Sequence, residues 1–169
     1  MIPDNGFGYL GEEVRRKGVH FERAEIEAEL EKYEERARIA VATGDWNQWA
    51  DQFSEDAIYV EHQYGIFRGQ KAIRDWICGV MQGQVTEMSF VFEFSMIDND
   101  RVVLYVPNRY TNPVDPAGEP YQFVALAILH YAGNGQWCYE EDIYNAAESK
   151  RIHASYKEAK SAGQAGQAG

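Results

Sequence analysis

The sequence predicts one α+β domain in which helices fold onto one face of a strongly bent antiparallel sheet and enclose a cone. Three observations predict it. Apolar residues recur at spacings of three and four over most of residues 22–82. The period changes to two between Thr86 and Tyr144. The composition, 169 residues with 45% hydrophobic and 8 Phe, 11 Tyr and 4 Trp, suits one core with a modest tail.

Residues 1–21 carry Gly6, Gly8, Gly11 and Gly18 without a period and read as an irregular arm. The Gly6–Gly11 run matches G-x-G-x-x-G, but it follows no strand and opens no βαβ unit, so it does not read as a dinucleotide site. From residue 22 to 42, Ile26, Leu30, Tyr33, Ala37 and Ala40/Val41 share one helical face, and Gly44 supplies a stop. Asp45 is placed to cap a short second helix whose apolar stripe is Trp46, Trp49 and Phe53. AIYVEH (57–62) reads as a strand, IFR between Gly65 and Gly69 as a short extended piece, and 70–82 as a third helix facing inward with Ile73, Trp76/Ile77 and Val80/Met81.

Met88, Phe90, Phe92, Phe94 and Met96 then alternate along one strand and are expected on a single face. Asp98-Asn99-Asp100 turns the chain into a second strand, 101–111. After a Pro/Gly/Asp loop come strands at 121–132 and 136–144, joined at Gly133-Asn134-Gly135. Asn145 with Glu148 signals the start of a C-terminal helix over 146–160, and SAGQAGQAG (161–169) is expected to be disordered.

The net charge of −11 disfavours nucleic acid as a partner, and no apolar run of membrane-spanning length exists. The N-terminus lacks a signal-peptide core, so the expected location is cytoplasmic. Cys78 and Cys138 read as two unpaired thiols. His20, His62, His130 and His153 are scattered, and no metal or other cofactor is expected.

The run GDWNQWADQFSEDAIYVEHQYGIFRGQKAIRDWI (44–77) resembles the SnoaL-like branch of the NTF2-like superfamily, and the resemblance extends over roughly 22–145. It implies the cystatin-like cone of that superfamily: a bent antiparallel sheet capped by three helices from the N-terminal half, plus a C-terminal helix. The superfamily includes ketosteroid isomerases, polyketide cyclases, scytalone-type dehydratases, epoxide hydrolases and non-catalytic subunits, so the fold by itself carries no one reaction.

Several site residues follow from the resemblance. The isomerase's general base falls at His62, three residues before Gly65. Its oxyanion-hole Tyr falls at Ala37 and its protonated Asp near Ala127, so neither donor is present. The family places Glu140, Asp142 and Tyr144 on the cavity side of the last strand. If that register slips by one residue, Glu141 replaces both carboxylates.

The expected chemistry is therefore acid–base. His62 would take or give a proton, with Asp142 orienting it or acting itself. Tyr33 and Tyr144 would offer phenol donors, while Tyr59 and Tyr64 would shape the cavity mouth. Arg109 would hold an anionic group or pair with Glu140 or Asp142.

The expected function is a lyase or isomerase (dehydratase, isomerase or cyclase) acting on a small hydrophobic ring compound, as in polyketide or steroid metabolism. A non-catalytic ligand-binding protein and a structural subunit of an oxygenase-type assembly are the alternatives. Trp137, Tyr139, Ile143, Val124, Leu126 and Ile128 are expected on the outer sheet face, where so apolar a patch suggests a homodimer.

Overall fold

The computed structural model describes residues 18–81 and 87–167; the arm over 1–17 and the last two residues lie outside the described residues. Helix α1 (Arg23–Thr43) buries Ile26, Leu30, Tyr33, Ala37 and Ala40 along one stripe. It ends where Gly44 adopts φ +75° and its N–H returns to the Ala40 carbonyl, a left-handed closure that glycine makes without a Cβ clash. A single turn, α2 (Asn47–Ala50), follows. It is shorter than expected. Asp45 Oδ1 accepts from the Asn47 N–H at 3.0 Å in a tight turn, and Trp46 takes the capping position without a side-chain cap bond.

Strand β1 (Phe53–Glu61) begins four residues earlier than the sequence pattern suggests, because Phe53 and Ala57 are fully buried and extend the inward face. Then come β2 (Gly65–Arg68), helix α3 (Gln70–Val80), β3 (Met88–Phe90), β4 (Phe94–Asp98), β5 (Arg101–Tyr110), β6 (Tyr121–Gly133), β7 (Gln136–Tyr144) and helix α4 (Ala146–Gln167). The sheet runs in the order β2-β1-β7-β6-β5-β3, with β4 also paired to β5. Every pairing is antiparallel except that of β1 with β7. That parallel contact sets the site, since it lays Tyr59 beside Glu140 and Glu61 beside Asp142.

Three local features differ from the sequence expectation. The stripe from Met88 to Met96 is not one face. Phe90 pairs with Asn108 but Phe94 pairs with Tyr105, so one extra residue is inserted between them. A one-residue bulge reverses every later side chain. Phe90 and Phe92 consequently face inward, while Phe94 and Met96 are 52% and 58% exposed on the outer side.

Trp137, expected outside, is fully buried against Tyr33 and Tyr131. The β6–β7 register shifts between His130 and Gly133, which turns this end of β7 inward. Finally, α4 continues past residue 160 to Gln167. Ala and Gln are good helix formers, and the Ser161 hydroxyl donates back to the Lys157 carbonyl at 2.9 Å.

The main core lies between α1, α3 and the concave sheet face. A second cluster of Met88, Tyr110, Phe123, Ile152 and Tyr156 seats α4 on β5 and β6. Asn145 caps α4, its Oδ1 accepting from the N–H groups of Ala147 and Glu148. None of the described helices is long and apolar enough to cross a membrane.

Candidate functional site

A hollow of about 370 Å³ opens inside the cone, within the range of pockets for small organic molecules. Its wall is aromatic. Trp46, Trp49, Tyr59 and Trp76 form a chain of edge and tilted ring contacts, with centroids 4.8–6.0 Å apart, and Phe90, Phe92 and Phe123 complete it. Space exists because small residues stand at central positions: Ala37, Ala125 and Ala127 all line the hollow. Ala37 and Ala127 are the positions where the resemblance places the isomerase's two donors, and here they present only methyl groups.

Three carboxylates interrupt the apolar wall: Glu61, Glu140 and Asp142. Period two along β7 puts Glu140 and Asp142 on the same face, with Cα atoms about 7 Å apart. Each is held by a phenol. The Tyr33 hydroxyl donates to Glu140 Oε1 at 2.7 Å and the Tyr59 hydroxyl to Asp142 Oδ2 at 2.5 Å. The Tyr144 hydroxyl donates to Glu61 Oε1, while Glu61 Oε2 accepts from the N–H groups of Gln63 and Tyr64 and ties down the β1–β2 turn. The second oxygen of Glu140, Oε2, is buried with no hydrogen-bond partner among the described residues.

Burial and mutual repulsion disfavour the charged forms. Removal from water, then the nearby Asp142, hold the Glu140 carboxyl well above the usual carboxylate range, although Tyr33 and Tyr59 pull it back in part. Asp142 is pushed up to about 7, first by loss of water and, after the opposing Tyr59 bond, by Glu61. The phenols of Tyr33 and Tyr59 are raised as well, by burial and by these carboxylates, and so remain protonated donors. Glu140, raised by burial, suits the acid of the pair, and Asp142, near 7, suits the base. The Glu140 proton belongs on Oε2, since Oε1 is occupied by Tyr33.

The structure brings together Asp142, Glu140, Tyr33, Tyr59, Tyr64 and Tyr144 around the hollow, with Tyr64, 59% exposed, at its rim. It does not bring His62 there. Tyr59 and Glu61 turn inward, so by strand alternation Val60 and His62 turn outward. The imidazole Nε2 lies 2.9 Å from Oε1 of Glu141, and its side chain is 31% exposed. Glu141, on the outer face of β7, also accepts from the Tyr139 hydroxyl. His62 reaches Asp142 only through space, where its charge would lower the carboxyl.

Arg109 also points away from the hollow, because its neighbour Asn108 points in. Its Nε donates to Gln122 Oε1 at 2.8 Å, and Glu93 lies 3.9 Å from its guanidinium. Neither expected partner, Glu140 nor Asp142, meets it.

Glu61, Asn108, Trp76, Lys150 and His153 line the hollow without being singled out by the sequence as site residues. For Glu61 the signal is present: it shares parity with Tyr59. Lys150 and His153 come from α4, whose docking against Met88, Tyr110 and Phe123 no local pattern encodes. Among the described residues no group of His, Cys, Asp and Glu is arranged to hold a metal ion.

A family profile described as SnoaL-like domain matches residues 33–140. The chain belongs to the SnoaL-like family. Solved structures agree on the fold of this SnoaL-like domain. A candidate SnoaL-like polyketide cyclase from Shewanella putrefaciens CN-32 is 18% identical, with a TM-score of 0.57 over 73% of this chain and 82% of that one. An NTF2-like protein from Anabaena variabilis ATCC 29413 gives 15%, 0.56, 70% and 88%. An LEH-like epoxide hydrolase of M. tuberculosis gives 14%, 0.55, 76% and 91%. At these identities the likeness concerns the fold. None of the curated proteins matches the chain.

Proposed function

We propose that this SnoaL-like domain is a cofactor-independent acid–base enzyme acting on a small hydrophobic ring compound. One observation carries the reading: two adjacent carboxyl groups, each held by a tyrosine hydroxyl, sit in an aromatic hollow where burial raises the proton affinity of both, that of Asp142 to about 7. A hollow meant only for storage has no use for them, since burying ionisable groups costs several kcal/mol that an apolar wall avoids.

In the proposed cycle, ionised Asp142 takes a proton from carbon next to a ring carbonyl. The C–H electron pair moves into the new C=C bond, and the carbonyl oxygen becomes an enolate oxygen. Protonated Glu140 meets that oxygen through Oε2–H, the role left vacant by alanines at 37 and 127. Return of the proton to another carbon completes an isomerisation. Loss of a β-hydroxyl as water, with a proton from the same pair, completes a dehydration. Solved structures of like fold include a candidate polyketide cyclase and an epoxide hydrolase.

The test uses 2-tetralone in deuterium oxide, with exchange of its α-hydrogens followed by NMR. Wild-type protein is expected to accelerate exchange, and Asp142→Asn to lose about 100-fold of the acceleration. Equal exchange with the two proteins would sink the proposal.

A further inference from the structure

We infer that helix α4 completes the hollow with an anion-binding subsite, built from Lys150 and His153, that selects ring compounds bearing a carboxylate. The inference rests on the proposed acid–base reading of the same hollow and specifies its substrate class.

Lys150 and His153 are three residues apart, so they share a face of α4, and both line the hollow. Lys150, an exposed residue at the edge of the hollow, carries the one ammonium or guanidinium group among the described lining residues, and it makes no ion pair with any described residue. Neighbouring lysines and arginines behave differently: Lys160 bonds Glu87, and Arg151 lies 3.8 Å from Glu148.

His153 is fixed rather than free to rotate. Its ring meets Phe123 and Tyr110 edge-on, and its Nδ1 lies 2.8 Å from the Tyr110 hydroxyl. An imidazole nitrogen is a stronger base than a phenol oxygen, so the phenol donates and the ring proton rests on Nε2. Burial, then Lys157, lowers the proton affinity of His153, which keeps this neutral tautomer at physiological pH. A pre-oriented N–H donor thus stands one helical turn from an uncommitted ammonium group. The carboxylates Glu61, Glu140 and Asp142 lie on β1 and β7 instead. A ligand whose anionic end meets α4 lays its apolar ring along the tryptophan wall and keeps its own charge off Asp142.

The protein's net charge of −11 makes the test discriminating, because an acidic chain without such a subsite favours a neutral ligand over an anionic one. Calorimetric titrations of the full chain at pH 7.5 compare 2-naphthoate with 2-acetylnaphthalene, its neutral analogue. Wild-type protein is expected to prefer the naphthoate by about tenfold, Lys150→Gln to erase the preference, and Lys150→Arg to retain it. Equal affinities in the wild type, or a preference unchanged in Lys150→Gln, would overturn the subsite while leaving the acid–base reading intact. Failure of both probes to bind would overturn the subsite together with the hollow as a ligand site.

Discussion

Replacing Asp142 by asparagine should stabilise the protein at alkaline pH and leave it nearly unchanged at acidic pH. The perturbation is isosteric, and the amide oxygen can still accept from Tyr59. The sign follows from linkage. A carboxyl raised from its ordinary 3.8 to about 7 stays protonated in the folded protein after the unfolded chain has ionised. Its contribution is fully present below about pH 4 and is lost as pH rises through about 7. A proton held roughly a thousandfold more tightly in the folded state corresponds to about 4 kcal/mol. For a chain of this length that is on the order of 8–15 °C in Tm.

Other groups titrate in the same window. His153, lowered by burial, works in the opposite direction. Subtracting the wild-type curve from that of the variant removes such shared contributions. The assay is thermal unfolding by circular dichroism from pH 4.5 to 8.5. The Asn variant should exceed wild type by roughly 8–15 °C at pH 8.5 and by only about 2–4 °C at pH 4.5. Parallel curves across the range would refute the burial argument on which the site depends.

Tyr59→Phe removes the hydroxyl that favours ionised Asp142, so the ascending limb of the pH–rate profile should move upward by about one pH unit. Ala127→Leu should fill the hollow and weaken 2-acetylnaphthalene binding at least about tenfold, as measured by calorimetry. His62→Ala should leave proton exchange within about threefold of wild type, while thermal unfolding registers about 1 kcal/mol for the lost partner of Glu141; loss of exchange would return the imidazole to the chemistry. The outer row formed by Phe94, Tyr105, Leu126 and Ile143 across four adjacent strands is proposed to bury itself in a homodimer. Leu126→Glu should then give monomers by light scattering, and an unchanged mass would exclude this face.

Much of the architecture is legible in the sequence because the relevant signals are local. The three-and-four spacing from Ile26 to Ala40 marks the buried face of α1, and strict alternation along β7 places Glu140, Asp142 and Tyr144 on one side. What escapes depends on single-residue changes of register. His62 reads as the pocket base by its distance from Gly65, yet it has the opposite parity to Tyr59 and Glu61, and the pairing of β1 with β7 fixes that parity as the one facing away from the hollow. The bulge between Phe90 and Phe94 and the shift between His130 and Gly133 reverse Phe94, Met96 and Trp137 in the same way. No propensity marks the first insertion, which falls beside the ordinary strand formers Val91 and Phe92, whereas the second runs into Gly133, whose φ of +87° is a local irregularity. The contribution of Lys150 and His153 is hidden for another reason: it arises from long-range docking of α4 on Tyr110 and Phe123.

The most direct measurement is the carboxyl-carbon NMR titration of Asp142 in the ligand-free wild-type protein, assigned by comparison with Asp142→Asn. A midpoint near 7 is predicted. A midpoint near 4, the value of an ordinary solvated aspartate, would mean that water reaches the floor of the hollow and that no acid–base pair is poised there.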